Sequence, residues 1–261
     1  MQLTFINPGL DYSIDSIMRF QQGDESAFWS EPLYYFYPQL DRSRAMAMTC
    51  EDRRRYITDV LTAHYRDVEQ MINEKCVRYA EHWEKHREQV EAALSEAFDV
   101  SCADLLNDMR CFVTLNPIAP RYLTTHAFDV FYLNSEKGAL GLSLHEIIHF
   151  VWFHVWHDEF GDAWEAYETP SLQWIFSEMV VESVMRDARL SGINPYFPRE
   201  NGGCVYPYFF TMQTSDGPAL DVLDRLYREK PIRAFMRDGY AWCQAHEEEI
   251  RAHMAKAEAA G

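Results

Sequence analysis

Positive charge is scarce in this chain. Lys and Arg number 24 against 41 Asp and Glu, a formal net charge of −17 over 261 residues. So acidic a chain argues against nucleic acid or an anionic membrane as partner, since both would be repelled. Cationic peptides stay open, although strong acidity commonly serves solubility alone. Patterned cysteine is missing as well. Cys50, Cys76, Cys102, Cys111, Cys204 and Cys243 are scattered without a CxxC pair, which speaks against a disulfide framework or a zinc knuckle. They read as reduced thiols of a cytoplasmic protein. The segment Met1–Phe5 shows no basic stretch followed by an apolar one, so no secretory signal is expected. Repeats and low-complexity tracts are absent, and only the Ala-rich end after Met254 is expected to fray.

A long uninterrupted apolar run is also lacking, and the nearest approach to one is informative. Leu140–Leu144 leads into His145-Glu146-Ile147-Ile148-His149, and Phe150–Phe153, Val155 and Trp156 follow. Glu146, with His149, His154 and His157 beyond His145, argues for a buried helix of a globular protein rather than a membrane span. Two histidines four apart share a helix face, so both imidazoles reach one metal ion. Glu146, one step round the helix, then faces a water on that ion and takes its proton. This is the HExxH arrangement of zinc hydrolases. Alone it also describes a helix that happens to carry two histidines. An ionised Glu in so apolar a helix is costly unless paired, and a divalent cation satisfies His145, Glu146 and His149 together.

A second helix supplies what the first lacks. Thr169-Pro170-Ser171 reads as its start, Leu172, Ile175, Phe176, Met179, Val180 and Val184 as its apolar face, and Gly192 as its terminator. Glu178 and Glu182 stand four apart within it, among Trp174, Phe176, Met179 and Val181. Two buried carboxylates at that spacing repel unless a cation lies between or beside them; a solvated acidic stripe fits the flanking residues less well. Joined, the helices offer His145 and His149 through ring nitrogens and Glu178 through a carboxylate oxygen. One Zn2+ per chain would be held there with a fourth position open for water. Glu182 is placed to accept the other ring N–H of a ligand histidine. The reverse assignment, Glu182 as ligand and Glu178 as support, is open at this point.

With HExxH on one helix and Glu178 29 residues after His149 in a Glu-x-x-x-Glu pattern, the chain resembles the gluzincin metallopeptidases, the thermolysin-like clan. The likeness covers about residues 105 to 190 and suggests a small bacterial-type member. In that clan the first acid of the downstream pair is the third zinc ligand and the second supports a ligand histidine; Glu182 stands where some members have Asp. A metzincin would need Gly where Trp152 stands and His where Val155 stands, and Cys102 and Cys111 lack the Glu-Gly-Cys context of a deformylase.

The resemblance implies an α+β fold, mostly helical. A zincin-like core with a small β-sheet packed on the HExxH helix would be joined by N-terminal and C-terminal helices. It implies zinc-dependent hydrolysis of a peptide or protein substrate, with Glu146 as general base and a Tyr or His as second stabiliser of the oxyanion; Tyr206, Tyr208, Tyr240 and His246 are candidates. The alternative is a catalytically inactive or regulatory zincin-fold metal-binding protein. A purely structural zinc suits two His and one Glu poorly.

Along the chain, residues 1–104 read as an N-terminal helical region, 105–192 as the catalytic core, and 193–261 as a C-terminal loop and helices, together one compact unit. The aromatics Phe28, Trp29 and Tyr34–Tyr37 are expected to pack on the body. From Glu51 to Phe98 no Pro or Gly interrupts, which predicts one long or two shorter helices with a charged outer face. His82 and His86, set among charges there, read as surface residues. Arg110–Leu115 and Ala127–Leu133 read as strands, either of which could be the sheet edge that pairs with a substrate backbone. The Pro-, Gly- and Tyr-rich stretch from Asn194 to Phe210 reads as a loop, followed by helices at about 218–228 and 231–254.

Overall fold

Where the sequence withholds proline and glycine, the chain is helical for long stretches. The computed structural model describes residues 1–23, 27–193 and 205–260, with the backbone alone for 258–260. Strand β1 (Leu3–Ile6) is followed by α1 (Leu10–Met18), α2 (Ala27–Phe36), α3 (Arg42–Met46), α4 (Cys50–Glu84), α5 (Arg87–Phe98) and α6 (Cys102–Leu105). Then come β2 (Met109–Thr114), β3 (Arg121–Tyr122), β4 (Ala127–Phe131) and α7 (Glu136–Phe160). The remainder is α8 (Leu172–Met185), α9 (Ala188–Ser191), α10 (Pro207–Phe210), a hairpin β5–β6 (Gln213–Thr214, Gly217–Pro218), α11 (Ala219–Glu229), α12 (Ile232–Ala245) and α13 (Glu247–Ala260). The fold is mostly helical with a small mixed sheet. No helix among the described residues is long and apolar enough to cross a membrane.

Two compact units interleave along the chain. One is built from Leu3–Trp83 and Asp108–Ala139; the other from Met1–Gln2, Glu84–Asn107 and Leu140–Ala257. In the first, the strand order is β1-β2-β4-β3. β1 and β4 both run parallel to β2, with Leu3 opposite Met109 and Arg110 opposite Ala127, while β3 is antiparallel to β4. Both strands read from the sequence form, and they are the two inner ones. The edges are β1 and the two-residue β3, which had no period long enough to reveal them. β4 is buried along its whole length, as parallel strands covered on both faces are.

That burial includes a carboxylate. Asp129, in the middle of β4 and fully buried, accepts from Tyr12 Oη at 2.8 Å and from Ser16 Oγ, which itself accepts from Asn116 Nδ2 at 2.8 Å. Burial and the Asp129 charge push the Tyr12 hydroxyl well above the ordinary tyrosine range, so it stays a proton donor. Helix α4 contributes Ile57, Leu61, Tyr65, Val68, Ile72, Tyr79 and Trp83, a stripe at spacings of three, four and seven. Each such aliphatic side chain contributes about 1.5–3 kcal/mol by leaving water. Its face also buries one charge: Arg53 donates to the carbonyls of Ala45 at 2.9 Å, Gln21 at 2.5 Å and Met48 at 3.2 Å. The cluster at 28–37 divides. Tyr37 is buried and Phe36 packs edge-on to Phe131, but Tyr35 is 80% exposed.

The second unit centres on α8, buried at every position but Gln173. Ser171 caps it, its hydroxyl accepting from Trp174 N at 3.0 Å. The helix ends at Met185 rather than running to Gly192, because the Asp187 side chain captures Arg189 N at 2.9 Å and starts the short α9. Likewise α12 stops before His246, and α13 begins afresh at Glu247. His82 and His86 are half-buried instead of fully at the surface. Of the expected loop, 194–204 lie outside the described residues, and 207–210 form α10.

Gly239 lets α12 approach α8 closely. A Cβ there would lie 2.6 Å from Phe176 Cζ, and Phe176 is fully buried with no room to swing away. A mid-helix Gly→Ala change ordinarily stabilises by about 1 kcal/mol. Here Gly239→Ala is expected to destabilise by about 1–3 kcal/mol through overpacking. Chemical denaturation of both proteins decides the sign, and a gain in stability would refute the close approach.

Asp187 also receives Arg189 Nε at 2.8 Å and Tyr227 Oη at 3.0 Å, joining α9 to α11. The Arg189 bonds hold its carboxyl down to about 2. A depressed carboxyl stabilises the fold above its unfolded pKa, and that stability is lost as pH falls through the folded value. Asp187→Asn is therefore expected to cost about 1–2 kcal/mol at neutral pH. The gap between the two proteins should close as pH falls from about 4 to about 2. A gap that does not change over that window would exclude Asp187 as its source.

Candidate metal centre

His145, Glu146 and His149 sit in the buried middle of α7, and Glu178 and Glu182 in α8. The apolar character of both helices fixes this placement. Ile147, Ile148, Val151 and Trp152 of α7 are fully buried, as are Ile175, Phe176, Met179 and Val180 of α8. With so much of each helix surface apolar, the few polar residues are carried inside with it. Burying an ionised carboxylate without partners is strongly unfavourable, so those residues must meet each other or a cation.

They do meet. His149 Nε2 lies 3.1 Å from His145 Nε2. Glu178 reaches both rings, Oε1 at 3.4 Å from His149 Nε2 and Oε2 at 3.6 Å from His145 Nε2. The ligand atoms of His145, His149 and Glu178 all fall within 4.8 Å of one another, so the group could hold a metal ion. Glu178, and not Glu182, completes it. Glu146 lies alongside, its Oε1 4.0 Å from His145 Nε2.

The separations test whether an ion suits the group. Donors about 2.0–2.1 Å from one tetrahedral ion stand about 3.3–3.4 Å apart. The three separations, 3.1, 3.4 and 3.6 Å, bracket that spacing. Direct hydrogen bonds would draw the carboxylate to about 2.7–3.2 Å from each ring nitrogen, and both histidine–glutamate distances exceed it. The separations of the donor set are thus compatible with one metal ion shared by nitrogen and oxygen.

Burial gives the group a direction. His149 and Glu178 side chains are 0% and 2% exposed, whereas His145 is 15% exposed, so solvent reaches the group at His145. On the inner side the His149 ring stacks over Phe153, which stacks on Tyr167. One turn beyond Glu178, Glu182 is buried with Oε1 3.7 Å from Arg186 Nη1. Arg186 was not among the residues singled out from sequence, although Glu182-x-x-x-Arg186 is a helix ion-pair spacing that could have signalled it.

The four candidates for oxyanion support occupy different settings. Tyr240 packs against Trp156 and Phe176. His246 has Nδ1 2.8 Å from the Trp242 carbonyl and Nε2 3.3 Å from Asp216. Tyr206 lies against Trp174 and parallel to Tyr208. Trp174 is one turn before Glu178 on the same line of α8, so Tyr206 is the candidate nearest in register to the ligand carboxylate. Comparison with known proteins returns no match of any kind, neither a family model, nor a curated protein, nor a solved structure.

Proposed function

We propose that His145, His149 and Glu178 hold a zinc ion and that the protein hydrolyses peptide bonds. The observation that carries the reading is the convergence of two imidazoles and one carboxylate from two buried helices, at the spacing of a shared ion, with Glu146 beside them. The likeness of the two motifs to gluzincin metallopeptidases, and to their zincin-like core, points the same way. Two His and one Glu leave a coordination position open, which suits catalysis better than a closed structural site. Bound zinc supplies a Lewis acid that polarises a carbonyl and brings the pKa of a coordinated water toward neutrality.

The chain's own residues do the rest. Glu146 accepts the proton of the attacking water at a carboxylate oxygen and returns it to the leaving amine. Its burial keeps competing bulk water away from that oxygen. Glu178 balances the imidazoles electrostatically. Glu182, one turn beyond Glu178, is buried beside Arg186, which offsets its charge. The depth of the group, most exposed at His145 among the described residues, also supports a second reading in which the fold holds metal without turning over a substrate.

Two measurements separate these. Zinc content and affinity of the full chain should show one ion per chain, and His149→Ala and Glu178→Ala should each weaken binding about 100-fold or more. Unchanged affinity in the Ala variants would remove the site. Activity then tests the chemistry. Glu146→Gln should keep the fold and the zinc while hydrolysis of a peptide library falls about 10²–10⁴-fold. A fully zinc-loaded wild type that cleaves nothing in that library would leave only the metal-holding reading.

A further inference from the structure

The second unit also buries a hydroxyl whose presence stability does not explain. Ser143 of α7 is fully buried, as are Leu144 and Ile147 beside it in the helix. Its Oγ has no hydrogen-bond partner among the described residues. Hydroxyls inside a helix ordinarily turn back on a carbonyl of the preceding turn. Thr58 does so to Arg54 at 2.8 Å, Thr62 to Thr58 at 2.7 Å and Ser177 to Trp174 at 2.8 Å. Ser143 does not. A buried hydroxyl left unpaired costs stability, and alanine, the better helix former, would carry no such cost.

Its place on the helix gives a reason for the serine. Successive residues advance about 100° round an α-helix, so Ser143 stands about 60° from Glu146. It lies about 120° from His149 and about 160° from His145, on the side of Glu146 away from both rings. Residues three apart are neighbours, and helix side chains lean toward the N-terminus, so Glu146 leans over the turn that carries Ser143. One carboxylate oxygen of Glu146 is already placed toward the rings, Oε1 at 4.0 Å from His145 Nε2. We propose that the Ser143 hydroxyl donates to the other oxygen, Oε2, and so holds Glu146 with Oε1 turned to the metal centre. A single side-chain torsion of Ser143 aims its hydrogen, and bonds of this kind often tighten only once a site is occupied. Ser143 is thus a positioning residue that acts through Glu146. Its part in hydrolysis rests on the peptidase reading above, whereas the pairing itself does not.

A double-mutant cycle on the full-length, zinc-loaded protein tests the pairing without any substrate. Ser143→Ala is made in the wild type and in Glu146→Ala, and all four proteins are unfolded with denaturant. Ser143→Ala should shift the unfolding equilibrium about 10-fold further toward the unfolded state when Glu146 is present than when it is absent. Alanine is well tolerated in a buried helix, so the variant is expected to fold. Peptide hydrolysis then tests the positioning. Ser143→Ala should lower kcat about 10-fold while KM and zinc affinity stay unchanged, a split that a loss of packing would not produce. Equal stability effects in the two backgrounds overturn the proposal, whether or not the protein is a peptidase. So does an unchanged kcat, or a fall in kcat that follows a loss of zinc. A wild type that hydrolyses nothing removes the peptidase reading instead, and the stability cycle alone then decides the pairing.

Discussion

A carboxylate with nowhere polar to go governs the centre of this protein. Glu178 is carried inside by a helix that is buried all round, and both of its oxygens face histidine ring nitrogens of the neighbouring helix. Desolvating that charge is worth more than any single apolar contact nearby, so α7 and α8 are held in a register that brings His145 and His149 to it. The large rings of Trp152, Trp156 and Phe176 then pack around the register that the polar group requires. Gly239 matters for the same reason: it lets α12 close over α8 where Phe176 stands.

A second buried carboxylate is treated in the opposite way. Asp129 is met by hydroxyl groups of Tyr12 and Ser16, supported by Asn116, and fastens α1 to the middle of the sheet. Hydroxyl donors stabilise a carboxylate in place, whereas beside Glu178 two imidazoles bring ligand atoms to within 4.8 Å of one another, a group that could hold a metal ion. That contrast explains why one buried acid reads as structural and the other as a ligand, though both are sealed from water.

Much of this was legible in the chain. The uninterrupted stretch after residue 50 became α4 and α5, the two β-branched and aromatic runs became β2 and β4, and Ser171 capped α8 as its position before an apolar period suggested. Less visible were features decided by one side chain or by pairing at a distance. Asp187 ends α8 early by capping α9, and the edge strands β1 and β3 are short enough that only their partners define them. Arg53 sits on a charged helix, yet its guanidinium is buried because three backbone carbonyls are presented to it.

Sequence alone determined which atoms are available: helical spacing puts His145 with His149 and Glu178 with Glu182, because residues four apart must share a face. It could not choose between the two glutamates, since both satisfy that spacing and both are flanked by apolar residues. The packing of α7 on α8 made the choice, bringing Glu178 to the rings while Glu182 lies beside Arg186. Periodicity is a property of one helix, but bringing such donors together needs two, and their relative register exists only once the two helices pack on each other.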